Sequence, residues 1–428
     1  MVLTMTAVFF IALALAFPLY IGFLMASFVA MVFYVGQWSQ LLLMNQVLFG
    51  SLQKFSLMAV PFFVFTAEIM GRGGLARRLI DWGVALFGWM RACLAAALTV
   101  ASMFMGAISG SGPATIAAVG RIMNPVLVRE GYAEEFSIGL LCSTAALSVI
   151  IPPSIPMIVL GSLTNLSVGA LFIGGFIPGV LLGVSYIIYN IWYAKKVGVE
   201  PPKTQSKGLW QSTREALWAL GVPVIIIGGI YGGVFTPTEA SVVAAVYVVL
   251  VSTLVYREIG FKKVWEVAAE SGLITAQIFI VFAASNVLSW FLTVSGLPQQ
   301  LTSYVAEKHL APWALLMVLN IILLIAGMLV DAVSAMTVLM PLLFPILVAA
   351  GIDPLHAGLV IVINLAIGLF TPPFGFNLFV AQGALGVPVT RLYRGVMPFI
   401  AISVVILLAI TYLPVLTVAL PNYLLGIR

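Results

Sequence analysis

Apolar runs long enough to cross a lipid bilayer recur from one end of this sequence to the other. A spanning segment needs about 20 mostly apolar residues, and it forms a helix because each backbone polar group must find its partner inside the hydrocarbon. Only 8% of the residues are charged and the mean hydropathy is +1.18, so no polar block remains for a soluble domain. The chain is therefore predicted to be an all-α polytopic membrane protein.

The basic residues indicate an orientation in the membrane rather than a nucleic-acid partner, although the net charge is +5. They concentrate in short connections, which favours a cytoplasmic location for those loops. One loop carries Lys195, Lys196, Lys203, Lys207 and Arg214, and another carries Arg257, Lys262 and Lys263. With both loops inside, the basic residues left outside are Lys54, Lys308 and Arg428, and both termini are predicted to be periplasmic.

Two adjacent prolines interrupt an apolar run twice, at Pro152-Pro153 and, 220 residues later, at Pro372-Pro373. When residues 124–178 are placed over 344–398 without a gap, most identical positions are helix breakers rather than the Leu and Val that chance supplies. Beyond the prolines just named, the matches are Pro125/Pro345, Leu127/Leu347, Val128/Val348, Gly131/Gly351, Ala146/Ala366, Gly175/Gly395 and Pro178/Pro398. A weak repeat with a broken helix in each half is typical of secondary transporters, whose binding site lies at the breaks.

A second irregular segment precedes each proline pair. It is Ser109-Gly110-Ser111-Gly112-Pro113 in the first half and Val330-Asp331-Ala332-Val333-Ser334 in the second. The apolar arms on either side are residues 91–108 and 113–128, then 312–329 and 335–348. Non-helical backbone persists at membrane depth only where protein or water satisfies it. Each pair of arms is therefore predicted to be a re-entrant helical hairpin with a polar tip.

The other apolar runs predict ten crossings, near residues 3–17, 18–36, 54–72, 135–164, 168–195, 214–235, 237–256, 270–295, 355–385 and 388–420. Five of these crossings lie between the hairpins, so the two repeats are predicted to have inverted topology. Pro18 is interpreted as the turn between the first two spans. A single tilted span over residues 3–36 is the alternative.

The proline pairs also suggest a site for a cation. Carbonyl groups near Ile150 and Phe370 lose their helical partners, because proline has no backbone donor. Freed carbonyls of this kind ligate Na⁺ in broken-helix transporters, and half-helix amino termini face anionic substrates. Further oxygen atoms come from Ser109, Ser111, Ser154, Asp331, Ser334, Thr371 and Asn377. The alternative is a structural kink that a neighbouring helix satisfies.

Asp331 is the carboxylate predicted to lie at membrane depth, where an ionisable residue indicates function. Its alternative role is a cap on the second hairpin helix. Glu239 is interpreted as a helix cap, and Glu68 as a cap, a snorkelling residue or a transport residue. An intramembrane enzyme is disfavoured because the polar breaks hold no Gly-x-Ser-x-Gly motif, no His-Glu-x-x-His motif occurs, and the acids are too few for a catalytic pair.

Several strings together resemble the large membrane subunit of tripartite ATP-independent periplasmic (TRAP) transporters. They are Ser109-Gly110-Ser111-Gly112-Pro113-Ala114-Thr115, Ile151-Pro152-Pro153-Ser154, Phe235-Thr236-Pro237-Thr238-Glu239-Ala240, Gly351-Ile352-Asp353-Pro354, Asn364-Leu365-Ala366-Ile367-Gly368 and Thr371-Pro372-Pro373-Phe374-Gly375-Phe376-Asn377-Leu378. The resemblance implies Na⁺-coupled uptake of small organic acids, such as C4-dicarboxylates or sialic acid, across the bacterial inner membrane. It also implies a separate small four-helix membrane subunit, a periplasmic binding protein and an elevator-type transport domain that carries both hairpins.

On this resemblance, residues 1–72 and 214–295 are expected to form the scaffold, residues 73–195 and 296–428 the transport domain, and residues 196–213 a cytoplasmic linker. Our hypothesis places one Na⁺ where residues 109–113 meet 151–154 and another where 330–334 meet 371–377, with the substrate between them. The Na⁺ ligands in this hypothesis are Ser109, Ser111, Asp331 and Thr371, and backbone is contributed by Gly110, Gly112, Pro113, Pro152, Pro153, Pro372 and Pro373. No cofactor other than Na⁺ is expected.

A stand-alone sodium/carboxylate symporter and a channel are the alternative functions. The sequence leaves open which acid is carried, the Na⁺ stoichiometry and the oligomeric state.

Overall fold

The computed structural model of this chain describes residues 1–35, 40–200, 208–308 and 310–426. All regular secondary structure in these ranges is helical, which confirms the predicted all-α fold. Lys203 and Lys207 of the predicted linker, together with His309 and Arg428, lie outside the described residues.

The first half of the chain begins with five helices that precede the first hairpin. They are α1 (Val2–Ala14), α2 (Leu19–Ala30, extended by a π-helical turn, Met31–Val35), α3 (Gln40–Leu52), α4 (Phe55–Arg72) and α5 (Leu75–Phe87). The hairpin and broken helix follow as α6 (Cys93–Ser109), α7 (Gly112–Thr115, continued by Ile116–Gly120 and Arg121–Arg129), α8 (Glu134–Ile150), α9 (Ile155–Thr164) and α10 (Val168–Val197).

The second half repeats this order. Its helices are α11 (Leu209–Tyr231), α12 (Pro237–Val255), α13 (Phe261–Val294), α14 (Leu297–Glu307), α15 (Pro312–Leu329), α16 (Ala332–Ala349), α17 (Pro354–Gly368), α18 (Phe376–Leu385), α19 (Val389–Tyr412) and α20 (Val415–Leu425). In the described ranges, nine helices are long and apolar enough to cross a membrane: α4, α8 taken with α9, α10, α11, α12, α13, α15, α16 and α19. The chain is therefore a multi-pass membrane protein.

The first predicted pair of spans forms two antiparallel helices rather than a single tilted one. The rings of Phe9 and Phe23 stack with their centroids 4.9 Å apart, and the hydroxyl groups of Thr4 and Tyr34 lie 2.5 Å apart. α1 has 13 residues and measures about 20 Å, and α2 has 12 residues that a five-residue π-helical turn extends to about 25 Å, against a hydrocarbon core of about 30 Å. The two helices occupy the predicted spans 3–17 and 18–36 with Pro18 between them, but each is shorter than the core is thick.

Three other boundaries differ from the prediction. α3 occupies residues that the sequence pattern leaves unassigned, because Asn45 and Gln46 interrupt its apolar run. α13 begins at Phe261 rather than at 270 and, at 34 residues, is about 51 Å long. The last predicted span, 388–420, is divided into α19 and α20, since Pro414 has no backbone N–H with which to continue a helix.

Both predicted hairpins are present, as α6 with α7 and as α15 with α16. The Asn190 side-chain amide donates to the Thr99 hydroxyl over 3.1 Å, and the Asn320 amide donates to the Thr411 hydroxyl over 3.1 Å. The two partners are 91 residues apart in each case. In the first half the hairpin supplies the hydroxyl group, and in the second half it supplies the amide. Each bond joins the first helix of a hairpin to the last long helix of the same half, so the repeat in the sequence is also a repeat in three dimensions.

The halves interlock through the hairpins and the broken helices. α7 packs against α18 and α16 packs against α9, so each hairpin contacts the helix that follows the proline pair of the other half. α8 and α19 approach so closely that a Cβ atom on Gly139 would lie 2.0 Å from the carbonyl oxygen of Gly395. Glu134 and Arg391 form a 2.7 Å ion pair between the same two helices. The hairpins and breaks of both halves therefore form one packed unit.

A wall made from α4 and α13 faces this unit. The two helices pack against each other, and Arg72 at the end of α4 pairs with both Glu68 and Glu270. A separate apolar cluster around Phe23 and Phe291 fixes α1, α2 and α3 to the carboxyl-terminal part of α13. Residues of both hairpin tips and of this wall line the same cavity.

Candidate functional site

The tip of the first hairpin is a turn built around Gly110. This residue has a φ of +57°, and a Cβ atom on it would lie 2.9 Å from both the Pro153 carbonyl oxygen and the Ile155 amide nitrogen. Only glycine combines this conformation with so close a backbone approach. Beside it, the buried Ser109 hydroxyl accepts a bond from the Ser111 amide over 3.2 Å. The tip at residues 109–113 thus contacts the break at residues 151–154, as the hypothesis placed it.

The first break is closed by Ser154. Pro152-Pro153 removes the donors that would bond the carbonyls of Ser148 and Val149 in a continuous helix. The Ser154 hydroxyl donates to the Val149 carbonyl over 2.5 Å and accepts from the Met157 amide over 3.3 Å, which caps α9. A carbonyl oxygen has two lone pairs, so the Val149 oxygen retains one that a cation could use.

The second break satisfies its freed carbonyls differently. Pro372-Pro373 removes the helical donors to Gly368 and Leu369. The Gly368 carbonyl accepts from the Thr371 amide over 3.0 Å, and the Leu369 carbonyl accepts from the Asn377 amide over 2.8 Å. These carbonyls are therefore not free groups, and only their second lone pairs are available to an ion.

Asn377 supplies the most informative polar atom of the site. Its Nδ2 donates to the Cys142 carbonyl over 3.2 Å, so Oδ1 points away from that carbonyl. Among the described residues Oδ1 has no hydrogen-bond partner, although the side chain is fully buried. A Cβ atom on Gly112 would lie 2.6 Å from this oxygen. A buried acceptor without a donor costs about 1–3 kcal/mol, so its presence at the hairpin tip indicates a site for a cation or another donor.

Asn377 also corrects the predicted pairing of tips and breaks. The hypothesis placed residues 371–377 against the second tip, residues 330–334. In the structure Asn377 instead lies against Gly112 of the first tip, because α18 packs on α7. The second hairpin approaches the second break through its first arm, where a Cβ atom on Gly327 would lie 3.1 Å from the Gly368 Cα.

Asp331 at the second tip is a helix cap. Its Oδ1 accepts bonds from the amides of Val333 and Ser334, each over 3.0 Å, and its Oδ2 accepts from the Ser334 hydroxyl. The capping role that the sequence left as an alternative is thus present. The Thr371 hydroxyl donates its proton to the Ile367 carbonyl over 2.7 Å. The Ser334 and Thr371 hydroxyl groups therefore offer only their oxygen lone pairs to a ligand.

A cavity of about 710 Å³ lies between the two hairpin tips and the wall of α4 and α13. This volume is in the range of small-molecule sites. Of the predicted site residues, Ser109, Gly110, Ser111, Gly112, Pro113 and Asp331 line it. Pro152, Pro153, Ser154, Ser334, Thr371, Pro372, Pro373 and Asn377 lie outside its lining. The charged side chains that line it, Glu68 and Asp331, are both acidic.

The sequence did not identify the wall of the cavity. From α4 and α13 it includes Val64, Ala67, Ile274, Gln277, Ile278 and Val281, and Phe374, Phe376 and Phe379 line the opposite side. In a helix that is apolar around most of its circumference, the pattern does not reveal which face meets a cavity. The polar side chains of Glu68 and Gln277 within apolar runs are the local signals of this wall, and of these only Glu68 was a candidate from the sequence.

Two interlocked repeats, each with a hairpin and a broken helix around a central cavity, have the architecture of a secondary transporter. Residues 6–416 match the family model described as the DctM component of tripartite ATP-independent periplasmic transporters. The chain belongs to this family, which confirms the resemblance seen in the sequence.

Curated relatives and a solved structure agree with this assignment. The chain is 43% identical over 379 residues to the C4-dicarboxylate TRAP transporter large permease protein DctM of Pseudomonas aeruginosa, covering 88% of each chain. It is 38% identical over 383 residues to the isethionate TRAP transporter permease protein DctMQ of Oleidesulfovibrio alaskensis, covering 89% of this chain and 60% of the relative. The YdaH transporter of Alcanivorax borkumensis superimposes with a TM-score of 0.60 at 11% identity over 88% of each chain, which shows a shared fold. The chain is thus a transporter permease and not an enzyme.

Proposed function

We propose that this permease couples the entry of Na⁺ to the uptake of a small organic acid. The relatives named for C4-dicarboxylate and for isethionate point to organic anions as the substrate class. The observation that carries the proposal is the buried Oδ1 of Asn377 at the tip of the first hairpin, which has no hydrogen-bond partner in the described part of the chain. An amide oxygen in that position is a suitable ligand for a hard cation such as Na⁺.

The charge of the cavity supports ion coupling independently. Its charged lining residues are Glu68, which pairs with Arg72, and Asp331, so an organic anion that enters alone meets repulsion chiefly from Asp331. Cations that bind with the substrate remove this repulsion. In the proposal, Ser109, Ser111 and Asn377 hold one Na⁺ near the first tip, and Asp331 and Thr371 hold another near the second.

We further propose that the packed unit of hairpins and breaks moves as a rigid body in an elevator mechanism. The moving part comprises residues 73–195 and 296–428, the scaffold comprises residues 1–72 and 214–295, and residues 196–213 are a cytoplasmic linker. The close contact of Gly139 with Gly395 and the ion pair of Glu134 with Arg391 support rigid motion, since they join the two halves of the moving part.

The family also suggests the partners and the location. A periplasmic binding protein delivers the acid, and a separate small four-helix subunit accompanies the chain in the bacterial inner membrane. Both termini then lie in the periplasm.

Uptake into proteoliposomes tests this function. We expect labelled succinate or isethionate to accumulate only with an inward Na⁺ gradient, the small subunit and the loaded binding protein. Equal uptake in K⁺ would contradict Na⁺ coupling. Uptake that persists without the binding protein would favour a stand-alone symporter, and currents far above carrier turnover would indicate a channel.

Replacing Asp331 by asparagine separates its capping role from its charge. Asparagine caps helices about as well as aspartate, so Asp331→Asn should keep the thermal stability of the wild type. Loss of the carboxylate should raise the Na⁺ concentration for half-maximal uptake about tenfold, in line with the 1.5–3 kcal/mol range for bonds to charged groups. Asp331→Ala loses the cap as well and should also unfold at a lower temperature. Unchanged Na⁺ dependence in Asp331→Asn would remove this carboxylate from the ion site.

A further inference from the structure

The wall that α4 and α13 present to the cavity is apolar except at two positions, Glu68 and Gln277. Glu68 already accepts a bond from Arg72 over 3.2 Å. The Gln277 side chain makes no hydrogen bond to any described residue and is exposed on the cavity side of α13. Because this amide faces the cavity and bonds to no described residue, its donors and acceptor are available to the transported solute.

The depth of Gln277 follows from the ion pairs at one end of the wall. Arg72 pairs with Glu270, and Arg78 pairs with Glu258 over 2.6 Å while lying 3.8 Å from the centre of the Tyr256 ring. These contacts gather the ends of α4 and α12 and the starts of α5 and α13 at one basic face, which the distribution of Lys and Arg assigns to the cytoplasm. Gln277 lies two helical turns, about 10 Å, beyond Glu270 on the same side of α13.

The cavity therefore lies against the cytoplasmic half of the wall. Glu68, one helical turn before Arg72, lines it, and the lining extends along α13 from Ile274 to Val281. The hairpin tips thus face the part of the wall that is nearest the basic face. Such an arrangement is that of an inward-facing conformation.

On the basis of the transport function proposed above, we propose that Gln277 binds the organic acid in the inward-facing conformation alone and so sets its affinity on the cytoplasmic side. The amide offers two N–H donors to a carboxylate or sulfonate and a carbonyl acceptor to a hydroxyl group. A few polar groups in an otherwise apolar site fix the orientation of a ligand. When the hairpins carry the acid toward the periplasmic half of α13, this contact is lost, while the contacts made by the tips persist.

Inhibition by internal substrate measures the inward-facing affinity. Proteoliposomes are loaded with increasing concentrations of whichever acid, succinate or isethionate, the wild type transports, and Na⁺-driven uptake from the loaded binding protein is recorded. Gln277→Leu should raise the half-inhibiting internal concentration about fivefold, which corresponds to one hydrogen bond. Gln277→Glu should raise it further by repulsion. In both variants, the KM for the external loaded binding protein should match the wild type, because the outward-facing conformation lacks this contact.

Gln300→Leu is the matched control, because Gln300 is exposed on α14 and does not line the cavity. This variant should leave unchanged both the half-inhibiting internal concentration and the KM for the external loaded binding protein. A half-inhibiting concentration in Gln277→Leu equal to that of the wild type, or equal shifts on both sides of the membrane, would overturn the role of Gln277 while leaving the transport function intact. Wild-type vesicles that show no Na⁺-driven uptake would overturn the proposed function, and this role with it.

Discussion

Gly395→Ala is expected to destabilise the protein severely, because the two halves meet at this point backbone to backbone. A Cβ atom at residue 395 would lie 2.0 Å from the carbonyl oxygen of Glu135, and the facing residue Gly139 has no side chain that could move aside. Overpacking that flexible side chains can absorb costs 1–3 kcal/mol, so a clash between two helix backbones should cost at least about 3 kcal/mol. Thermal unfolding of the detergent-solubilised protein, followed by tryptophan fluorescence, measures the loss.

Gly272→Ala provides the matched control. Gly272 lies within α13, and a Cβ atom there would meet no other atom within 4 Å. Alanine is the better helix former by about 1 kcal/mol, so this variant should be as stable as the wild type or slightly more so. If Gly395→Ala unfolded at the same temperature as Gly272→Ala, the close packing of α8 on α19 would be wrong.

Asn377→Ala is expected to weaken the Na⁺ dependence of uptake. The substitution removes the buried Oδ1 at the tip of the first hairpin, which no described residue partners. Losing one ligand of a desolvated cation should raise the Na⁺ concentration for half-maximal uptake at least tenfold, which corresponds to about 1.4 kcal/mol. A ligand that binds only the folded state stabilises it, so Na⁺ should raise the unfolding temperature of the wild type above its value in K⁺. In Asn377→Ala this increment should disappear.

The rise in unfolding temperature that Na⁺ produces distinguishes an asparagine that binds the ion from one that only stabilises the fold. Asn377→Ala also loses the bond to the Cys142 carbonyl, so its unfolding temperature in K⁺ should fall as well. Asn286→Ala is the control, since among the described residues the Asn286 amide bonds only to the Phe282 carbonyl of its own helix. A variant with Ala at 377 that is less stable in K⁺ but keeps the full Na⁺ increment would show that Oδ1 does not bind the ion.

The hairpins could be predicted from the sequence because nearby proline and glycine residues determine where their helices end. The paired prolines, which lack N–H groups, and Gly110 in a left-handed conformation interrupt helices through their own backbone chemistry, whereas the single prolines Pro178 and Pro398 lie inside continuous helices. The same reasoning identified the proline breaks and the inverted repeat. The prediction missed α3, because Asn45 and Gln46 interrupt its apolar run. It also missed the division of the last span at Pro414.

The site was predicted less completely, and its errors have a common origin. The first tip does contact the break of its own half, but the hypothesis assigned Asn377 to the second tip, since nothing local indicates that α18 crosses to pack on α7. It took the carbonyls near the prolines to be free, whereas the amides of Thr371 and Asn377 satisfy two of them. It could not single out Gln277, because the face of α13 that lines the cavity is defined by its neighbours.

What this sequence determined by itself is therefore a membrane protein of broken helices in two inverted halves, because hydropathy and the loss of backbone donors act over a few residues. The tertiary structure alone decided which oxygen atoms remain unpaired and where they converge. The Oδ1 of Asn377 reaches Gly112, more than 200 residues away, only because both halves pack into one unit. Contacts between such distant segments depend on the shapes of whole helices, and no short stretch of sequence records them.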